Sequence, residues 1–305
     1  MSLDLNERQR AMLKEMGVTV WWPQAAQALA ATPTAKDSSG PVAPNEVAEN
    51  KLNYIEFKKL NKENIANIES NNIAVNVSNI RTIDRINLDS VSESDLIENK
   101  IRLGALSWPE LAHEAAVCRA CKLCEGRTQT VFGSSGVAPE PAPVVDWLIV
   151  GDLPGDAEDE AGQPFAGDAG QLMDNMLKAM GLSRGRSVYL TTVVKCRPPG
   201  NRNPLPDEVA QCALYLYRQI ELLQPKIILT VGKLAAQALL RDTLPDVDKL
   251  PPGKLRGQVH TYLPDGANRP VVATYPPAYL LRNPQEKARV WEDLVMAMER
   301  AKRGT

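Results

Sequence analysis

Four short apolar runs in the second half of the chain restrict its architecture more than any other feature. They are VVDWLIVGD, SVYLTTVVKC, KIILTVG and RPVVATYPP. Each is rich in β-branched residues, as expected of strands buried on both faces of a parallel sheet. Around them lie GDAGQLMDNMLKAMGL, PDEVAQCALYLYRQIELLQP, KLAAQALL and QEKARVWEDLVMAMERAK, whose apolar residues recur at helical spacing. Strand, turn and helix in repetition predict an α/β fold. Its parallel sheet is flanked by helices on both faces, with sites at the carboxyl ends of the strands.

Upstream of this body the pattern stops. Residues 1–24 read as a short ordered tip. Residues 25–105 read as a flexible low-complexity linker, first Ala/Pro/Ser-rich and then crowded with Asn, Ser and charge. Such a segment buries too little apolar surface to offset its ordering entropy. The folded body is expected over residues 106–305, where 23 basic and 23 acidic side chains balance. No broad electrostatic funnel toward nucleic acid follows from that balance, so DNA contact is expected to be local or made through a partner. No apolar run is long enough to span a bilayer, and the N-terminus lacks the pattern of a secretory leader. A cytoplasmic protein without membrane contact is expected.

The tip, RQRAMLKEMGVTVWWPQ, places Met12, Leu13 and Met16 on one helical face, with Gly17 as a helix terminator. Val18 to Trp22 then run extended and aromatic. Trp21 and Trp22 on a tether look like the anchors of a peptide that orders on a partner.

Five cysteines are too few for a disulfide framework, and their odd number in a cytoplasmic chain points to metal or free thiols. CRACKLCEGRT carries Cys118, Cys121 and Cys124, while VVKCRPPGNRNPLPDEVAQC carries Cys196 and Cys212. A buried cysteine is often only a small apolar residue. A CxxC pair combined with a cysteine beside RPPG is hard to explain as packing. By spacing, the set suits either zinc or an iron–sulfur cluster. The acidic run DAEDE reads as a solvated loop, and His113 and His260 as structural or surface residues.

The segments CRACKLCEGRTQTVFG, GDLPGDAEDEAGQPFAGDAGQLM, VVKCRPPGNRNP, KLRG and TYPPAYLLRNP occur in the order found in family 4 uracil-DNA glycosylases, the iron–sulfur type, which this region resembles. The resemblance implies a uracil-DNA glycosylase-like fold and a 4Fe-4S cluster on Cys118, Cys121, Cys196 and Cys212, with zinc as the alternative and Cys124 as a spare thiol. It also implies a base pocket. Phe165 matches the family's stacking phenylalanine, and Arg282 is kept in the last motif. Three positions depart: Asp152 stands where the family generally has Glu, Thr192 where an Asn reads uracil, and Pro276 where the family has His. Threonine cannot reproduce an amide's donor–acceptor pair, and proline has no donor at all. The pocket is therefore expected to be vestigial.

The tip, in turn, resembles the clamp-loader-binding peptide of the psi subunit of bacterial DNA polymerase III. That implies partner contacts through Met12, Leu13, Met16, Gly17, Val18, Trp21 and Trp22. Taken together, the two resemblances imply a psi-like accessory subunit. It would bind the clamp-loader ATPase subunits and a chi-like subunit, reach DNA through that complex, and carry no catalytic residues of its own. The alternative is an active family 4 uracil-DNA glycosylase in base-excision repair, and a DNA-bound redox sensor is a third reading.

Overall fold

A computed structural model describes residues 93–134, 145–185, 187–264 and 267–303. The tip peptide, most of the expected linker, and hence Met12 to Trp22 lie outside the described residues. The elements in chain order are α1 (Glu93–Gly104), α2 (Trp108–Val117), β1 (Trp147–Gly151), α3 (Asp156–Ala161), α4 (Gly167–Ala179) and β2 (Val188–Thr192). They continue with α5 (Pro206–Leu223), β3 (Ile227–Val231), α6 (Lys233–Leu240), α7 (Pro252–Leu255), β4 (Val259–Tyr262), β5 (Arg269–Thr274), α8 (Pro277–Arg282) and α9 (Lys287–Arg303).

The strands form one five-stranded sheet in the order β2-β1-β3-β5-β4, with the first four parallel and β4 antiparallel at the edge. Every residue of β1, β2 and β3 is buried, which explains the unbroken apolar runs. Alternation along β1 sends Leu148 and Val150 to one face and Trp147 and Ile149 to the other. The first face is covered by α5 and α6 through Leu216, Ile220, Ala236 and Leu239. The second is covered by α4, α8 and α9 through Met173, Met176, Leu280, Trp291 and Leu294.

Three features depart from the expectation. The edge strand β4 was not anticipated, because its VHTY is half-exposed and lacks an apolar run. The helix α1 falls within the residues expected to be linker. Its Leu96 and Leu103 are buried with Leu111, Leu214 and Tyr215, so the ordered body begins before residue 106. DAEDE, expected as a solvated loop, is the helix α3, and its Asp159 is buried.

Candidate active site and cysteine centre

Parallel pairing aligns the carboxyl ends of four strands. Thr192 pairs with Gly151, Gly151 with Val231, and Val231 with Thr274. Thr192 lies on this row, Asp152 follows it, and the Phe165 ring reaches Gly151, at the edge where open α/β sheets place their ligands.

Phe165 is held over the row by the turn that carries it. Its φ of 55° is unusual for a non-glycine residue, and two flanking side chains stabilise it. Arg184 donates from Nη1 to the Pro164 carbonyl at 2.9 Å and from Nη2 to the Phe165 carbonyl at 2.6 Å. Glu158 accepts from the Ala166 N–H at 2.9 Å and the Gly155 N–H at 3.0 Å. The ring then lies on Gly151, where a Cβ would sit 2.9 Å from Phe165 Cζ. Glycine at the end of β1 is thus required by the close approach of the ring. Motif reasoning missed both Glu158 and Arg184. Glu158 lay within an acidic run with no distinguishing mark, and Arg184 acts on backbone carbonyls that only the folded turn presents.

Asp152, next along the chain from Gly151, turns toward the first turn of α6. Its Oδ1 accepts from the Ala235 N–H at 2.8 Å. Gly232, at φ 135°, leaves room for the carboxylate, since a Cβ there would lie 2.3 Å from both oxygens. Burial pushes the Asp152 carboxyl up to about 6, against the pull of the Ala235, Leu234 and Lys233 N–H groups.

Thr192 is buried, and its hydroxyl donates to the Val194 carbonyl at 2.8 Å. Its methyl faces the same point over Gly151 that Phe165 covers, 3.5 Å from where a Cβ would be. Pro276 precedes α8, and its carbonyl accepts from the N–H groups of Tyr279 at 2.9 Å and Leu280 at 3.2 Å. Arg282 ends α8 with an exposed side chain.

The cysteine centre forms where α2, β2 and α5 meet. Cys118, Cys121, Cys124, Cys196 and Cys212 line one cavity together with Arg127, Lys195, Gln211 and Tyr215. Cys212 rides on the second turn of α5, whose start is held by Glu208. That carboxylate accepts from the Leu205 N–H at 2.7 Å and pairs with Arg202 at 2.7 Å. Arg127 donates to Cys196 Sγ at 3.1 Å, and the Lys195 backbone N–H to Cys212 Sγ at 3.1 Å. Burial pushes the Cys121 thiol up to about 11 and raises those of Cys196 and Cys212. Burial thus disfavours the thiolate at Cys121, Cys196 and Cys212, and a bound cation would offset it. The donor set fits a metal group. Among the described residues, no set of three His, Cys, Asp or Glu side chains is placed to hold a single ion.

Beneath both sites runs Lys195, fully buried. Its ammonium donates to Thr191 Oγ1 at 2.6 Å, the Thr192 carbonyl at 2.6 Å and Gln219 Oε1 at 2.8 Å. Away from both sites, His260 sits 2.7 Å from the Leu255 carbonyl through Nε2, a structural contact.

Residues 139–295 match the family described as the uracil DNA glycosylase superfamily. The chain is 40% identical over 179 residues to a type-4 uracil-DNA glycosylase of Archaeoglobus fulgidus, covering 59% of this chain and 85% of that protein. It is 36% identical over 196 residues to one from Sulfurisphaera tokodaii, covering 64% and 85%. A third, from Thermotoga maritima, is 37% identical over 182 residues, covering 59% and 87%.

These relatives overturn the expectation of a psi-like replication subunit with a vestigial pocket. That reading weighed three substituted side chains. Against it stand five type-4 uracil-DNA glycosylases, 36–40% identical across most of their own length. Physically, a lost side-chain donor does not equal lost catalysis. Other enzymes stripped of catalytic side chains keep about 10³–10⁴-fold acceleration from binding and backbone dipoles. This chain belongs to the uracil DNA glycosylase superfamily.

Proposed function

We propose that this protein is a uracil-DNA glycosylase that hydrolyses the N-glycosidic bond of uracil in DNA. The observation that carries the reading is a coincidence of place. Residues 139–295, matched to the superfamily, contain the carboxyl edge where Phe165 and Thr192 meet over Gly151 and where Asp152 follows. A base extruded from its strand stacks on the Phe165 ring, whose strained turn is locked by Arg184 and Glu158. Asp152 follows Gly151 at the end of β1, with its carboxylate held by the Ala235 N–H. Its negative charge stabilises the cationic sugar that forms as the bond lengthens. Arg282, exposed at the end of α8, is positioned for the phosphate backbone.

Cys118, Cys121, Cys196 and Cys212 hold a 4Fe-4S cluster in this reading, and Cys124 is the fifth, spare thiol of the same cavity. The five cysteines line one cavity, which supports this reading. When bound, the cluster supplies the positive charge that keeps buried thiolates ionised. It also ties the chain after α2 to α5.

The test is incubation of the purified full chain with a single strand carrying one uracil, followed by alkaline cleavage at abasic sites. Strand scission that depends on the uracil is expected. Its complete absence, with iron and sulfide present in the protein, overturns the proposal.

A further inference from the structure

The short helix α3 is fastened on one side to the segment that follows the first three cysteines and on the other to the turn of Phe165. Asp159, buried on α3, accepts the Thr128 N–H with both oxygens, at 3.0 and 2.9 Å. Its Oδ1 also takes the Gln129 N–H at 3.4 Å, and Gln129 Nε2 donates to the Glu160 carbonyl at 2.5 Å. Thr128 directly follows Arg127, whose guanidinium holds the Cys196 sulfur at 3.1 Å. A buried carboxylate is costly unless its oxygens are paired. Here backbone N–H groups pair them, so Asp159 and the cysteine segment hold each other in place.

The neighbouring Glu158 faces the other way along the chain and accepts the Ala166 N–H, directly after Phe165. The Phe165 turn, at φ 55°, persists only while its surroundings over-determine it. One of its ties is Arg184, and the other is this bond from α3. Movement of α3 therefore loosens the setting of the ring. A cluster held by Cys118 and Cys121 fixes the start of the cysteine segment, and Asp159 carries that order across to α3.

Resting on the glycosylase reading and on the cluster it assigns to the cysteines, we propose that Asp159 is a positioning residue that couples the cysteine centre to the Phe165 ring. A filled centre and a stacked uracil then stabilise one another. Such coupling is reciprocal, so a bound uracil also makes the cluster harder to remove.

The full chain with its iron and sulfide is saturated with a single strand carrying uracil on a 2′-fluorinated sugar, which resists cleavage. The same strand carrying thymine is the comparison. Iron release to a chelator is followed in each and reports opening of the cysteine segment. In wild type, uracil is expected to slow release about fivefold or more relative to thymine. Asp159→Asn keeps the size but replaces one acceptor by a donor, and Phe165→Ala removes the ring while leaving α3 intact. In both variants the two strands are expected to give equal release. Circular dichroism checks that each variant folds, and either folded variant suffices. Equal release on the two strands in wild type overturns the coupling and leaves the glycosylase reading intact. The full uracil effect persisting in a folded variant, or a chain isolated without iron, does the same. A wild-type chain with iron and sulfide that excises no uracil from the unmodified strand overturns both.

Discussion

At Asp152 a carboxylate one methylene shorter than glutamate reaches the first turn of α6, where the Ala235 N–H meets it at 2.8 Å. Burial raises its pKa from 3.8 to about 6. Two consequences follow, with opposite signs. In the proposed mechanism excision uses the carboxylate, so its rate is expected to rise with pH through about 6, and Asp152→Asn to lose that limb and most of the rate. Stability runs the other way. The folded state holds this proton more tightly than the unfolded chain, so the stabilisation is complete below 3.8 and is lost as pH rises through about 6. Urea midpoints of wild type and Asp152→Asn between these values check this. The wild-type curve should fall relative to the variant, which has no proton to release. Phe165 belongs to the same scale. Phe165→Ala removes the stacking face, worth about 1–3 kcal/mol per base, and should weaken binding of a uracil-containing strand by roughly tenfold or more. Fluorescence anisotropy measures it.

Between elements, one buried carboxylate organises the end of β5. Asp293 of α9 is fully buried. It accepts from Arg256 Nε and Nη2 at 3.0 Å each, from the Gly257 N–H at 3.1 Å and from the Thr274 hydroxyl at 2.8 Å. It thereby joins α9, the loop before β4 and the last residue of β5, two residues short of Pro276. Removing one partner of such a buried pair leaves an uncompensated charge and costs about 3–5 kcal/mol. Asp293→Ala is therefore expected to lower the urea midpoint by that equivalent. The amphipathic character of α9 was legible in QEKARVWEDLVMAMERAK, yet Asp293 looked there like any polar-face residue. Its role depends on Arg256 and Thr274 arriving from other elements. For a similar reason α1 escaped notice. Its Leu96 and Leu103 are sparse in a polar stretch and acquire a core only against α5.

Across the whole molecule, the cysteine cavity joins segments far apart in sequence, and closing such a loop restricts the unfolded chain. Replacing Cys118, Cys121, Cys196 or Cys212 singly with Ser is expected to reduce bound iron and sulfide and lower the melting temperature. Cys124→Ser should retain both. Iron analysis with thermal denaturation separates the five, and an iron loss in Cys124→Ser equal to the others would remove its status as a spare thiol.

Taken alone, the order of residues determined the alternation of strands and helices and the set of cysteines. These are local periodicities and residue identities, which need no neighbour to define them. Tertiary structure alone decided that the Thr192 hydroxyl serves Val194, that Asp152 caps α6, and that Asp159 and Asp293 are buried acceptors. A polar side chain's role is set by which donors and acceptors approach it once the sheet has closed. That approach is written in no single stretch of the chain.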